Sequence, residues 1–151
     1  MMSFIKRQAF GFYITILSAI AAIVGLVFYF INSRTATFGN IALNQLTIAG
    51  SIVAIVLMVV RVVLEQPRLN NPISETVCDI CCVATSVLLM CSTAVFICDR
   101  VNTVASVITF AQNAQSMADL QSVIVGVVAM AAATVLSIVS SYFGMCRKRR
   151  A

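Results

Sequence analysis

The sequence predicts an all-α integral membrane protein, a four-helix bundle with both termini on the cytoplasmic side and a single domain over residues 1–151. Three observations predict it. Hydrophobic residues make up 61% of the chain and charged residues only 10%, where a soluble domain carries about 25% charged residues; mean hydropathy is +1.03. Four long apolar runs hold this excess, at about 9–31, 41–64, 75–98 and 122–143. Each is long enough to cross roughly 30 Å of hydrocarbon as a helix, the conformation that satisfies its own backbone where lipid offers no hydrogen bonds. The basic residues are also sorted: Lys6, Arg7, Arg61, Arg68, Arg147, Lys148, Arg149 and Arg150 fall on one side of such a bundle, and Arg34 and Arg100 on the other. Lys and Arg stay cytoplasmic during insertion, which puts both termini inside.

The first run, Ala9 to Ile31, carries no charge. It exceeds a signal-peptide core of about 7–15 residues and reads as a retained span. Small residues at Gly11, Thr15, Ser18, Ala22 and Gly25 follow steps of four, three, four and three, which is one helix face. Tyr29 and Asn32 continue that face. The fourth run has a comparable stripe at Ser122, Gly126, Ala129, Ala133, Ser137, Ser140 and Gly144. In lipid, helices associate through close backbone approach and interhelical hydrogen bonds, so these stripes are the expected helix contacts. Their hydroxyls are expected to bond their own helix backbones.

The second run places Asn44, Thr47, Ser51, Ala54, Met58, Arg61 and Glu65 at helical spacing. Pro67 and Pro72 interrupt the following turn, and Ser74 is the expected N-cap of the third span, with Glu75 in its first turn. Arg61 and Asp79 lie equally far from Asn70, so adjacent antiparallel helices put them at similar depth. An interfacial Arg61–Asp79 ion pair is the expectation, against the alternative that Arg61 pairs with Glu65 one turn away.

The segment between the third and fourth spans, 99–121, is long for a helical hairpin. Val101, Val104, Ala105 and Ile108 keep helical spacing, so either the third span continues or an amphipathic segment lies on the interface. Ser116 with Asp119 three residues on resembles a capping box. Gln112, Asn113, Gln115, Ser116, Asp119 and Gln121 form a candidate outer polar patch, read either as a solvated helix start or as a recognition surface.

Six cysteines stand at Cys78, Cys81, Cys82, Cys91, Cys98 and Cys146. The chain contains no histidine, and a structural zinc site needs four nitrogen or sulfur ligands. A redox pair acting on exported proteins would open outward, whereas the charge sorting puts Cys78 and Cys81 at the inner face. Helix packing is therefore the reading for Cys78, Cys81 and Cys82. Cys91 is expected to be buried and inert, and Cys146 is a candidate for acylation beside the basic tail. Arg147, Lys148, Arg149 and Arg150 are candidates for contact with anionic lipid.

These features exclude several function classes. No glycine-rich phosphate loop and no paired carboxylates at depth are present, so no catalytic residue, metal or cofactor is expected. A proton-coupled transporter keeps an ionisable group within the membrane, and the centre of every span lacks one. Small multidrug exporters also have four spans but depend on a glutamate in the first, which is missing here. The reading is a structural, accessory or interaction protein whose partners are the lipid bilayer and another membrane protein or itself, with no nucleic acid. The alternative is a small transporter, or a transporter or channel subunit acting as an oligomer.

The phrases GFYITILSAIAAIVGLVFYFIN and ITFAQNAQSMADLQSVIVG resemble small four-span membrane proteins of anaerobic Gram-positive gut bacteria. The likeness runs along nearly the whole chain. It implies a bacterial cytoplasmic membrane and contributes no catalytic residue.

Overall fold

The computed structural model describes residues 10–64, 72–110 and 113–143. Four α-helices fill it: α1 Phe10–Asn32, α2 Gln45–Leu64, α3 Pro72–Phe110 and α4 Ala114–Ser141. Each is long and apolar enough to cross a membrane. They run up and down in sequence order, with α1 packed along α4, α2 along α3 and α3 along α4, while α1 touches α2 more sparsely. At the proximal end, α1 begins beside the end of α4, and the rings of Phe10 and Phe143 meet edge to face at 5.3 Å. The 33–44 turn and the α3–α4 turn lie at the distal end.

Helical spacing sets the buried faces. On α1, Gly11, Thr15, Ser18, Ala22, Gly25, Tyr29 and Asn32 are all buried. On α4 the same holds for Gly126, Ala133, Ser137 and Ser140, while Ala129 is half-buried. Small residues matter here because the two backbones come close. A Cβ added at Gly25 would stand 2.5 Å from Met130 Cγ, and one at Gly126 would stand 3.1 Å from the Phe96 ring. Gly50, in α2, admits the Ser92 hydroxyl of α3 in the same way. Leu17, Ile20, Ile23, Val56, Val83, Val128 and Val135 are among the large apolar residues exposed on the outside.

Two helix starts differ from the expected ones. α3 begins at Pro72 rather than after a Ser74 cap. A first-turn proline gives up an N–H that has no helical partner anyway, so it opens the helix instead of delaying it. α4 begins at Ala114 behind an Asn113 cap, three residues ahead of the expected Ser116. Asn113 Oδ1 accepts from Ser116 N at 2.8 Å, and Ser116 Oγ accepts from Asn113 N at 3.1 Å. Ser116 is therefore the third residue of this box, not its cap. With 39 residues, α3 continues without a break through the segment after Cys98. At 1.5 Å per residue it is about 58 Å long, well beyond one hydrocarbon thickness.

Two apolar clusters divide the interior. Ala22, Ala54, Met58, Leu89 and Ala133 form the one nearer the proximal end. Tyr29, Phe38, Phe96, Val123 and Met130 form the distal one.

Candidate functional site

Polar side chains gather at the two ends of the bundle axis. At the distal end Arg100 is 1% exposed. One guanidinium nitrogen donates to the Phe38 carbonyl at 3.1 Å and another to Ser33 Oγ at 2.7 Å. The group also lies over the Tyr29 and Phe38 rings, 5.5 and 5.8 Å from their centroids. Asp119, 5% exposed, holds the same turn from α4. Its Oδ2 accepts from Thr37 N at 3.1 Å and Thr37 Oγ1 at 2.7 Å, and its Oδ1 from Gln115 Nε2 at 3.0 Å. Tyr29 Oη accepts from Asn44 N at 2.8 Å. The 33–44 turn is thus fastened by one cation, one carboxylate and one phenol, each from a different position on the bundle. Beside it, Asn32 Oδ1, Asp99 Oδ2 and Arg100 Nε are buried without a hydrogen-bond partner among the described residues.

At the proximal end Arg61 is 7% exposed and donates to Ser140 Oγ at 3.2 Å and the Ser140 carbonyl at 3.4 Å. It sits at the C-terminal ends of both α2 and α4, where helix dipoles favour a cation. A cavity of about 10 Å³ adjoins it, lined by Thr15, Met58, Arg61, Cys82, Thr85, Ser137 and Ser140, so that every helix contributes. That is space for about one water molecule.

Between the ends, most hydroxyls bond across helices or back to their own, while Thr47 Oγ1 and Ser92 Oγ are buried without a hydrogen-bond partner among the described residues. Ser18 Oγ donates to the Ala133 carbonyl at 2.7 Å, and the Ser86 and Ser137 hydroxyls meet at 2.7 Å. Thr15, Ser51, Thr93 and Thr134 each donate to the carbonyl four residues earlier in their own helix. Ala22, Ala54, Leu89 and Ala133, all 0% exposed, separate the two polar ends.

Several sequence expectations come out differently. The Arg61–Asp79 ion pair does not form: Arg61 points inward to Ser140, whereas Asp79 is exposed and has no hydrogen bond or ion pair among the described residues. Equal distance from Asn70 along the chain does not fix the direction in which each side chain points. Asp79 is one residue past buried Cys78 and so is turned about 100° away from the packed face. The outer polar patch is divided, with Asn113, Gln115 and Gln121 exposed but Ser116 and Asp119 buried, because Asp119 is used by the turn. Cys91 is exposed rather than buried, since the packed face of α3 passes through Leu89, Ser92 and Thr93. Cys98 is exposed too, while Cys78, Cys81 and Cys82 are buried. Among the described residues, no three His, Cys, Asp or Glu side chains are placed to hold a metal ion.

Glu65, Gln112, Gly144, Cys146 and Arg147, Lys148, Arg149 and Arg150 lie outside the described residues. Sequence reasoning missed Arg100, treating it only as part of the charge sorting. The signal was present in the spacing: Cys78, Cys82, Thr85, Leu89, Thr93, Phe96 and Arg100 follow helical steps of three or four residues, and all are buried. No family model matches the chain, and no curated protein or solved structure matches it.

Proposed function

We propose that the chain is an integral membrane accessory protein that associates with another membrane protein or with itself and performs no catalysis of its own. The observation that carries this reading is the closed axis. A layer of fully buried Ala22, Ala54, Leu89 and Ala133 separates the polar ends, and the hydroxyls and charged groups there are largely used in holding helices and turn together. Insertion in a bilayer is supported by the apolar exterior, since water would not tolerate such continuous exposure of Ile, Val and Leu. An even number of spans puts both termini on one side, and the sorted basic residues favour the cytoplasmic side. The resemblance to gut bacterial proteins favours a bacterial cytoplasmic membrane.

The test is purification from native membranes by a mild detergent, followed by reconstitution. A membrane protein recovered in fixed stoichiometry supports the accessory reading. Solute flux in liposomes containing this chain alone would overturn it. The alternative, a transporter or channel subunit acting as an oligomer, would place the conducting path between copies, outside the closed axis; the proximal cavity lies within the axis and has space for about one water molecule, so it supplies no such path.

A further inference from the structure

Thr85 differs from Thr15, Thr93 and Thr134, which each donate to the carbonyl four residues earlier in their own helix. Thr85 is 4% exposed, yet its hydroxyl makes no hydrogen bond among the described residues. A buried hydroxyl without a partner is costly. Thr85 lines the proximal cavity of about 10 Å³, together with Thr15 of α1, Met58 and Arg61 of α2 and Ser137 and Ser140 of α4.

The protons along this wall decide what the cavity can hold. A hydroxyl has one proton to give and two lone pairs to receive with. Thr15 gives its proton to the Gly11 carbonyl at 2.9 Å, and Ser140 gives its proton to the Ser137 carbonyl at 2.8 Å. Ser86 gives its proton to the Cys82 carbonyl at 3.1 Å, so Ser137 is the donor in the 2.7 Å contact between the two serines. Among the described hydroxyls on this wall, Thr85 alone keeps a proton to give. Thr15, Ser137 and Ser140 offer lone pairs.

We infer that the cavity is a binding site for one water molecule, which accepts from Thr85 Oγ1 and donates to two of the hydroxyl oxygens of Thr15, Ser137 and Ser140. A buried water typically makes about three hydrogen bonds, which this wall supplies. Water fits because it both gives and receives. An anion needs donors, and it would lie at the C-terminal ends of α2 and α4, whose dipoles repel it. A cation would find lone pairs, but it would face the Arg61 guanidinium, which is held at Ser140. Met58 joins the cavity to the apolar layer of Ala22, Ala54, Leu89 and Ala133, so the water goes no further along the axis. It is a hydrogen-bonded link from α3 to the α1–α4 pair, with Thr85 as the residue that positions it.

The full chain, carrying isotope-labelled threonine, is reconstituted in lipid bilayers, and polarisation transfer from water protons to each threonine Cβ is followed by magic-angle-spinning NMR. In the wild type, Thr85 and Thr15 should receive polarisation severalfold faster than Thr93 and Thr134, which are also buried but do not line the cavity. This comparison within one protein needs no variant. Thr85→Val keeps the shape of the side chain and removes its proton, so transfer to Thr15 should fall to the Thr93 level with helical circular dichroism unchanged. Thr85→Ser restores the hydroxyl and should restore transfer to Thr15. Wild-type Thr85 and Thr15 that fill no faster than Thr93 and Thr134 would overturn the site. A Thr85→Val protein with undiminished transfer to Thr15 would overturn the positioning role of Thr85. Thr85 and Thr15 resonances that move with added sodium or fluoride at constant ionic strength would show a small ion in place of water, and would overturn the inference too.

Discussion

Arg100 offers the strongest quantitative test of how the distal turn is held. Its guanidinium makes two hydrogen bonds to the turn, one to the Phe38 carbonyl and one to Ser33 Oγ, and is 1% exposed. Hydrogen bonds to charged groups contribute about 1.5–3 kcal/mol each, so the pair amounts to a gross ~3–6 kcal/mol. Substitution to Met removes both bonds, but it also removes the cost of burying a charge, which is several kcal/mol. The expected net loss for Arg100→Met is therefore about 2 kcal/mol, below the gross sum. Arg100→Lys keeps the charge and its burial cost. A compact ammonium does not reproduce the planar fork that reaches two acceptors while stacked on Tyr29 and Phe38. Lys should therefore destabilise the turn at least as much as Met, although it is the more conservative change by charge. Hydrogen exchange at the Gly39 amide, which donates to Thr35 within the turn, reads this directly. A 2 kcal/mol loss corresponds to roughly 30-fold faster exchange at constant temperature. Unchanged exchange in Arg100→Met, or a Lys variant indistinguishable from wild type, would refute the idea that guanidinium geometry holds the turn.

Other outcomes follow from packing and capping. Gly25→Val should destabilise the bundle by about 1–3 kcal/mol through overpacking, because its Cβ would meet Met130 Cγ at 2.5 Å. Met130→Ala in the same chain should recover part of the loss in thermal denaturation. Asn113→Ala should cost about 0.5–2 kcal/mol as the true N-cap of α4, and Asn113→Ser should recover most of it; an Asn113→Ala variant with wild-type stability would argue against the cap. In folded protein, a maleimide should modify Cys98, which is exposed near the distal end, well before Cys78, Cys81 and Cys82, which are buried; Cys91, exposed on the apolar outer face of its span, should react slowly because a thiol facing lipid does not ionise. Peptide mass spectrometry before and after unfolding gives that order.

The helices were legible in the sequence because apolar runs of membrane length carry their own signal, and the faces of α1 and α4 were legible because small residues recur at three and four. What periodicity along one helix does not encode is its rotation relative to a neighbour. Asp79 shows the consequence: the symmetry of the hairpin says nothing of direction, and Asp79 is exposed while Arg61 turns to Ser140. Arg100 shows the complementary difficulty. A cation at a span end satisfies the charge-sorting rule whether it faces water or the interior. Only the turn that comes back over it, with Ser33 Oγ and the Phe38 carbonyl as acceptors, makes burial tolerable. Those acceptors sit more than sixty residues earlier in the chain, and one of them is a backbone atom, so no side-chain motif announces the contact. The Asp119 contact to Thr37 is hidden for the same reason. The shifted cap has a local cause. Asn113 and Ser116 are both good capping residues, and the sequence alone does not rank Asn113–Ser116 above Ser116–Asp119 as a reciprocal pair.

The position of α4 in these contacts has a testable consequence. Ser122, Ala133, Thr134, Ser137 and Ser140 each share a hydrogen bond with another helix, so α4 sets the register of the other three. The contributions are unequal. Ser18→Ala removes a hydroxyl bond to the Ala133 carbonyl, which remains inside α4, so it should cost only the ~0.6 kcal/mol typical of interhelical bonds in membrane proteins. Ser122→Ala is different. Ser122 Oγ accepts from Asn32 Nδ2 at 3.1 Å, and Asn32 is 0% exposed with its Oδ1 already unpartnered. Losing Ser122 leaves the whole amide unpaired, at about 1–3 kcal/mol. Asn32→Leu should then partly rescue Ser122→Ala, since removing both partners avoids the stranded amide. Reversible unfolding in mixed micelles measures the cycle. Simple additivity of Ser122→Ala and Asn32→Leu would mean that the amide is not held by Ser122, and the assigned α1–α4 register at this level would have to be abandoned.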